Sequence, residues 1–117
     1  MMDRSSGMPA PTDGLEDLKL RLRRFAAERD WERFHTPKNL AMSVAIEAAE
    51  VMEHFQWLTA EQSAAPDAAA RREIAHELAD VLLYLVRLAD ALDIDLAAAA
   101  REKIGLNAIK YPPTRGL

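Results

Sequence analysis

The 117-residue chain predicts an all-α fold built on four helices, and three observations carry that expectation. Apolar residues recur at intervals of three and four from Leu15 onward, the helical repeat, and no useful stretch alternates at the period of two that a half-buried strand requires. Turn chemistry (Asp, Thr-Pro and Pro-Pro) falls between these periodic segments. Half of the residues are hydrophobic and only four are glycine, which suits Ala- and Leu-rich helices with short connections.

Residues 1–14 (MMDRSSGMPAPTDG) mix Pro, Gly, Ser and Asp without periodicity and read as a disordered leader. Asp13 is a suitable cap for a first helix, in which Leu15, Leu18, Leu22 and Phe25 fall on one face, ending near Arg29 or Asp30. Residues 31–38 (WERFHTPK) form a loop whose Thr36-Pro37 starts a second helix over residues 39–57. Residues 59–67 hold Pro66 and small polar residues and read as a connection. A third helix spans residues 68–92. Asp93 or Asp95 then caps a fourth over residues 96–104, before Gly105 and the Tyr111-Pro112-Pro113 exit. One domain over residues 15–112, followed by a tail at 113–117, accounts for the chain.

At about 100° per residue, Leu40, Val44, Ala48, Val51 and Phe55 share one stripe of the second helix. Ile74, Leu78, Val81, Leu85, Leu88 and Leu92 share one on the third. Met42, Ile46, Leu83 and Val86 point elsewhere, and helices apolar on two sides need two partners. Four short helices cannot supply them, so the bundle is expected to be completed by a homo-oligomer, dimer or tetramer.

Lys and Arg number 15 against 19 Asp and Glu, a net charge of −4 that argues against polymeric nucleic acid as a partner. The absence of cysteine excludes disulfides, thiolate metal sites and a cysteine nucleophile. No apolar run is long enough for a membrane span and no signal-peptide core precedes the domain, so a cytoplasmic location without membrane contact is expected.

The acids are unusual in where they stand. Glu47 with Glu50, and Glu77 with Asp80, sit at i and i+3 along the flanks of the two core stripes, where like charges repel. One such pair on an Ala-rich helix is ordinarily a solvated face. Two pairs on two core helices are expected to line one cleft, and half-buried acids at that density call for a cation. Oxygen donors select a hard ion, Mg²⁺ or alternatively Mn²⁺, and Mg²⁺ commonly shares its coordination with substrate phosphates. Glu53 and Glu73 read as solvated charges, Glu53 with an outer-shell role as the alternative.

These residues resemble the ExxE…ExxD signature of the MazG-type all-α nucleoside triphosphate pyrophosphohydrolases, in Glu47-Ala-Ala-Glu50 and Glu77-Leu-Ala-Asp80. The strings FAAERDWERFHTPKNL, EAAEVMEHFQW, ELADVLLYLVRLA and KIGLNAIKYP are similar to the small single-domain dCTP pyrophosphatase branch. The resemblance implies a MazG-like bundle that hydrolyses a nucleoside triphosphate, such as dCTP or a related deoxynucleotide, to the monophosphate and pyrophosphate. Glu47, Glu50, Glu77 and Asp80 would hold Mg²⁺, and Glu50, by analogy, would accept the proton of the attacking water. Trp31 and Trp57 would stack on the base, with His35 and Asn39 lining its pocket. Lys103, Asn107, Lys110 and Tyr111 would close over phosphates and sugar, although the two lysines also suit a helix C-terminus. Tyr84 would lie near the sugar, and reads equally as a half-buried core aromatic. Leu22 stands where deoxycytidine-selective members carry a histidine, which leaves the base preference open.

Two other readings use the same residues. Glu73-Ile-Ala-His76 has the spacing of a di-iron carboxylate bundle, but the second helix answers only with Glu50 and His54 at i+4. A non-enzymatic helical oligomerisation or interaction module explains surplus apolar faces but not the acids that border them.

Overall fold

A computed structural model describes residues 14–114, all helix, turn and connection with no strand among them. The leader and its Asp13 cap, and the last three residues of the tail, lie outside the described residues. Helix α1 spans Gly14–Glu28, a single 3₁₀ turn spans Glu32–Phe34, and α2 spans Pro37–Glu53. A short α3 (Ala60–Ser63), a long α4 (Ala68–Ala91) and α5 (Leu96–Lys110) complete the chain.

Side-chain oxygens cap four of the helix starts. Thr36, Thr59, Asp67 and Asp95 each accept a hydrogen bond from the backbone N–H three residues on, at 3.2, 3.1, 2.8 and 3.0 Å. Helix α3 was not expected, yet its signal is in the sequence. Gln62 answers Thr59 with a bond back to the cap N–H at 3.0 Å, a complete capping box. Asp95, not Asp93, is the cap of α5. Asp93, like Asp30 after α1, takes a positive φ of 57°, a conformation short polar side chains tolerate as the chain leaves a helix.

Two boundaries differ from expectation. Helix α2 stops at Glu53 rather than continuing through Trp57, because the chain folds into turns from His54 onward. Helix α5 runs through Gly105 to Lys110, beyond the expected end at 104. A helical glycine weakens a helix by about 1 kcal/mol without breaking it, and termination falls instead to Tyr111-Pro112.

The core is small: Ala26, Leu40, Val86 and Ala89 are its fully buried apolar residues among those described. Helix α4 is the centre, packed chiefly on α2 and also on α1. Here the expected inward face of α4 is corrected. Val86, read as pointing away, is 4% exposed, while Leu78 and Leu92 of the expected stripe are 54% and 50% exposed. A helix apolar on two sides does not reveal which side its own chain covers. The radius of gyration is 18.1 Å, against roughly 13 Å for a compact domain of this size. Helix α5 has no fully buried residue, and Ile104, Leu106 and Ile109 are exposed on it.

Candidate functional site

The direction of α2 against α4 is read from their acids. Glu47 meets Asp80 and Glu50 meets Glu77, so residue numbers rise on one helix as they fall on the other, and the two run antiparallel. One oxygen each of Glu47, Glu50 and Glu77 lies within 4.8 Å of the others, and all three side chains are half-buried. Asp80 stands next to Glu47, close enough for its charge to act on that carboxyl. Three of the four expected acids therefore converge, with Asp80 beside Glu47.

Bringing four carboxylates together disfavours their full ionisation. Burial pushes the Glu47 carboxyl above its ordinary range, and the charges of Glu50 and Asp80 push it further. The Glu50 carboxyl is raised first by its hydrogen bond with Glu77 and then by that neighbour's charge. Acids this close are stabilised by a cation placed among them. The donors are all oxygen and already converge. They fit a hard divalent ion.

Beside this cluster lies a second feature, a cavity of about 250 Å³ walled by Leu22, Phe25, Trp31, His35, Asp80, Leu83, Tyr84 and Arg87 among others. Three expected substrate residues, Trp31, His35 and Tyr84, meet there. Phe25 packs edge-on to Trp31 at 5.5 Å between ring centroids, and Arg29 lies 3.5 Å over the other ring of the pair, Phe25. Asp80, the neighbour of Glu47, is part of this wall. Arg87 was not anticipated; a lone cation inside the apolar run of YLVRLA was the available signal.

Other expected residues are not gathered here. Trp57, 86% exposed, sits in the turn after α2. Asn39 donates to the Phe34 carbonyl at 3.0 Å, tying the 3₁₀ turn to the start of α2 rather than lining the aromatic cavity. Lys103, Asn107, Lys110 and Tyr111 lie along the end of α5, outside both the cluster and the cavity walls. On the other side of the cluster an open cleft of about 500 Å³ is lined by Glu50, Glu53, His54, Glu73, His76 and Glu77. Glu53 and Glu73 thus border the site. The histidines do not join the converging donors, which among the described residues are carboxylates alone, contrary to what a di-iron bundle needs. No helix among the described residues is long and apolar enough to cross a membrane.

Comparison with known proteins bears on this geometry. The chain matches the model of the MazG-like family over residues 42–116. It is 44% identical over 112 residues to human dCTP pyrophosphatase 1, covering 93% of this chain and 64% of that protein. Its identity to the rat dCTP pyrophosphatase 1 is 43% over 107 residues, 89% of this chain and 61% of the relative. The chain thus spans less than two thirds of the length of these relatives. A crystal structure of a pyrophosphatase from Archaeoglobus fulgidus superposes with a TM-score of 0.78 at 36% identity, over 91% of this chain and 99% of that one.

Proposed function

The chain belongs to the MazG-like family, and from that premise we propose that it hydrolyses nucleoside triphosphates to the monophosphate and pyrophosphate. The observation that carries the reading is the position of Asp80, which stands beside Glu47 of the acid cluster and also walls the aromatic cavity. A ligand spanning the two features has an anionic, metal-seeking end next to a flat apolar end, which describes a nucleotide. The cavity lies just below the roughly 300–1,000 Å³ of whole-ligand sites. It is sized for one heterocycle, with the phosphates left at the acids.

Trp31, flanked by Phe25, offers a stacking face to the base, and Tyr84 stands on the same wall toward the sugar. Glu47, Glu50, Glu77 and Asp80 would hold a divalent cation, Mg²⁺ or Mn²⁺, which when bound neutralises phosphate oxygens and makes a water more acidic. Glu50 is assigned as the acceptor of the water's proton. Glu50 also lines the open cleft beside the cluster, where a water can approach it. Attack at the α-phosphorus would release pyrophosphate and leave the monophosphate.

The names of the human and rat relatives support dCTP or a related deoxynucleotide as substrate. The exposed apolar residues of α4 and α5 support a homo-oligomer, dimer or tetramer. In it, Trp57 of the turn after α2, Lys103, Asn107 and Lys110 of α5, and its cap Tyr111 would close over the ligand. Polymeric nucleic acid and membranes are not among the proposed partners, and a nucleotide-pool reaction supports a cytoplasmic location.

The test is a panel of natural and modified triphosphates, each assayed with Mg²⁺ and with a chelator. Monophosphate and pyrophosphate should form only with the cation, and Glu47→Gln and Asp80→Asn should each lower kcat/KM by more than about 100-fold. An interaction module would show no turnover. Full activity in either variant would remove the acid cluster from the chemistry.

A further inference from the structure

The same aromatic cavity contains one polar arrangement that stacking does not explain. Arg87 on α4 donates its Nε–H to Nδ1 of His35 at 3.1 Å. A guanidinium has donors only, so Nδ1 must be the unprotonated nitrogen and the ring proton resides on Nε2. Arg87 is itself held: its Nη1 lies 3.5 Å from Asp90, and Asp90 accepts two bonds from Arg23 of α1, at 2.8 and 2.7 Å. Both Arg87 and Asp90 side chains are about nine-tenths buried, at 12% and 10% exposure.

Resting on the nucleotide reading above, we propose that Arg87 is a positioning residue: it locks His35 as the neutral Nε2–H tautomer, so that the cavity presents a donor and selects a heterocycle offering a carbonyl oxygen or bare ring nitrogen. Arg87 is the charge in contact with His35 and opposes a second cation there; Arg23 and Asp90 are paired behind it, and Asp80 is a carboxylate on the same cavity wall that acts the other way. Burial, and then the Arg87 charge, hold the ring's pKa below its ordinary value. Trp31, 6.1 Å away between ring centroids, covers the ring without supplying a proton acceptor. A base edge carrying an amino group at this point would set donor against donor; an acceptor would complete the bond.

The test uses the ¹⁵N-labelled full chain. Proton–nitrogen correlation spectra of His35 should show Nε2 protonated and Nδ1 bare, and Arg87→Ala should shift the ring toward mixed tautomers. In kinetics, Arg87→Ala should raise KM by about five- to tenfold with kcat little changed, the worth of one neutral hydrogen bond. The same substitution in a His35→Ala background should add nothing, whereas a merely structural role would add its full effect. A His35 ring that is charged or protonated at Nδ1 near neutral pH overturns the inference, as does an unchanged tautomer or KM in Arg87→Ala. The spectra need no substrate, so a locked ring without any triphosphate turnover sinks the functional reading instead.

Discussion

Asp90 shows how much one partly buried carboxylate can organise. It takes a bidentate grip from Arg23 and a longer contact from Arg87, joining α1 to the middle of the molecule. The bond from Arg23 holds its carboxyl below the ordinary aspartate range, with burial opposing. A folded-state pKa below the unfolded one adds stability that is present above the unfolded value and fades as pH falls through the folded one. Urea melts should therefore find Asp90→Asn less stable than the parent at pH 7 by about 1–3 kcal/mol, discounted toward the lower figure because Arg23 is half exposed. That gap should shrink below about pH 4. A gap constant with pH would show that the ion pair contributes nothing. At this same scale the acids were legible in the sequence, because i, i+3 carboxylates beside an apolar stripe are a spacing statement. Arg87 with His35 was not: the two are 52 positions apart, and only the fold brings them together.

Among the elements, α4 and α5 show where pattern reading stops. Periodicity located α4 to within a residue at its C-terminal end, but its second apolar face left the inward side undetermined, and Val86 rather than Leu78 was buried. Helix α3 is too short to carry a periodicity, although Thr59 and Gln62 mark its start. Gly105 predicts a stop in α5, yet the helix continues to Lys110. A Cβ added at Gly105 meets nothing within 4 Å. Gly105→Ala should consequently stabilise the isolated chain by about 0.5–1 kcal/mol in thermal or urea unfolding. A loss of stability would mean that something outside the chain approaches the backbone at that point.

For the whole molecule, the large apolar residues left uncovered on α4 and α5 (Leu78, Leu82, Leu85 and Leu92, with Ile104 and Ile109) are the main physical fact. Solitary exposed leucines need no explanation, but Leu78, Leu82 and Leu85 form a row on one face of α4 that Leu92 at its cap extends, and that does. Sedimentation should show a multiple of the 13.1 kDa chain, and Leu85→Glu should yield a smaller, less stable species. A monomer of unchanged stability in both would leave the row without a role. The all-α class and the acid site were readable from sequence because both are local patterns. The separation of Trp57 and the α5 residues from the cluster was not, since it depends on how far one chain alone can fill its bundle.

Most direct for the central claim, that the acids on α2 and α4 serve hydrolysis at the α-phosphorus, is turnover in ¹⁸O-labelled water with Mg²⁺. The label should appear in the nucleoside monophosphate, with unlabelled pyrophosphate released in equal amount. Label in the pyrophosphate, or release of orthophosphate, would contradict it.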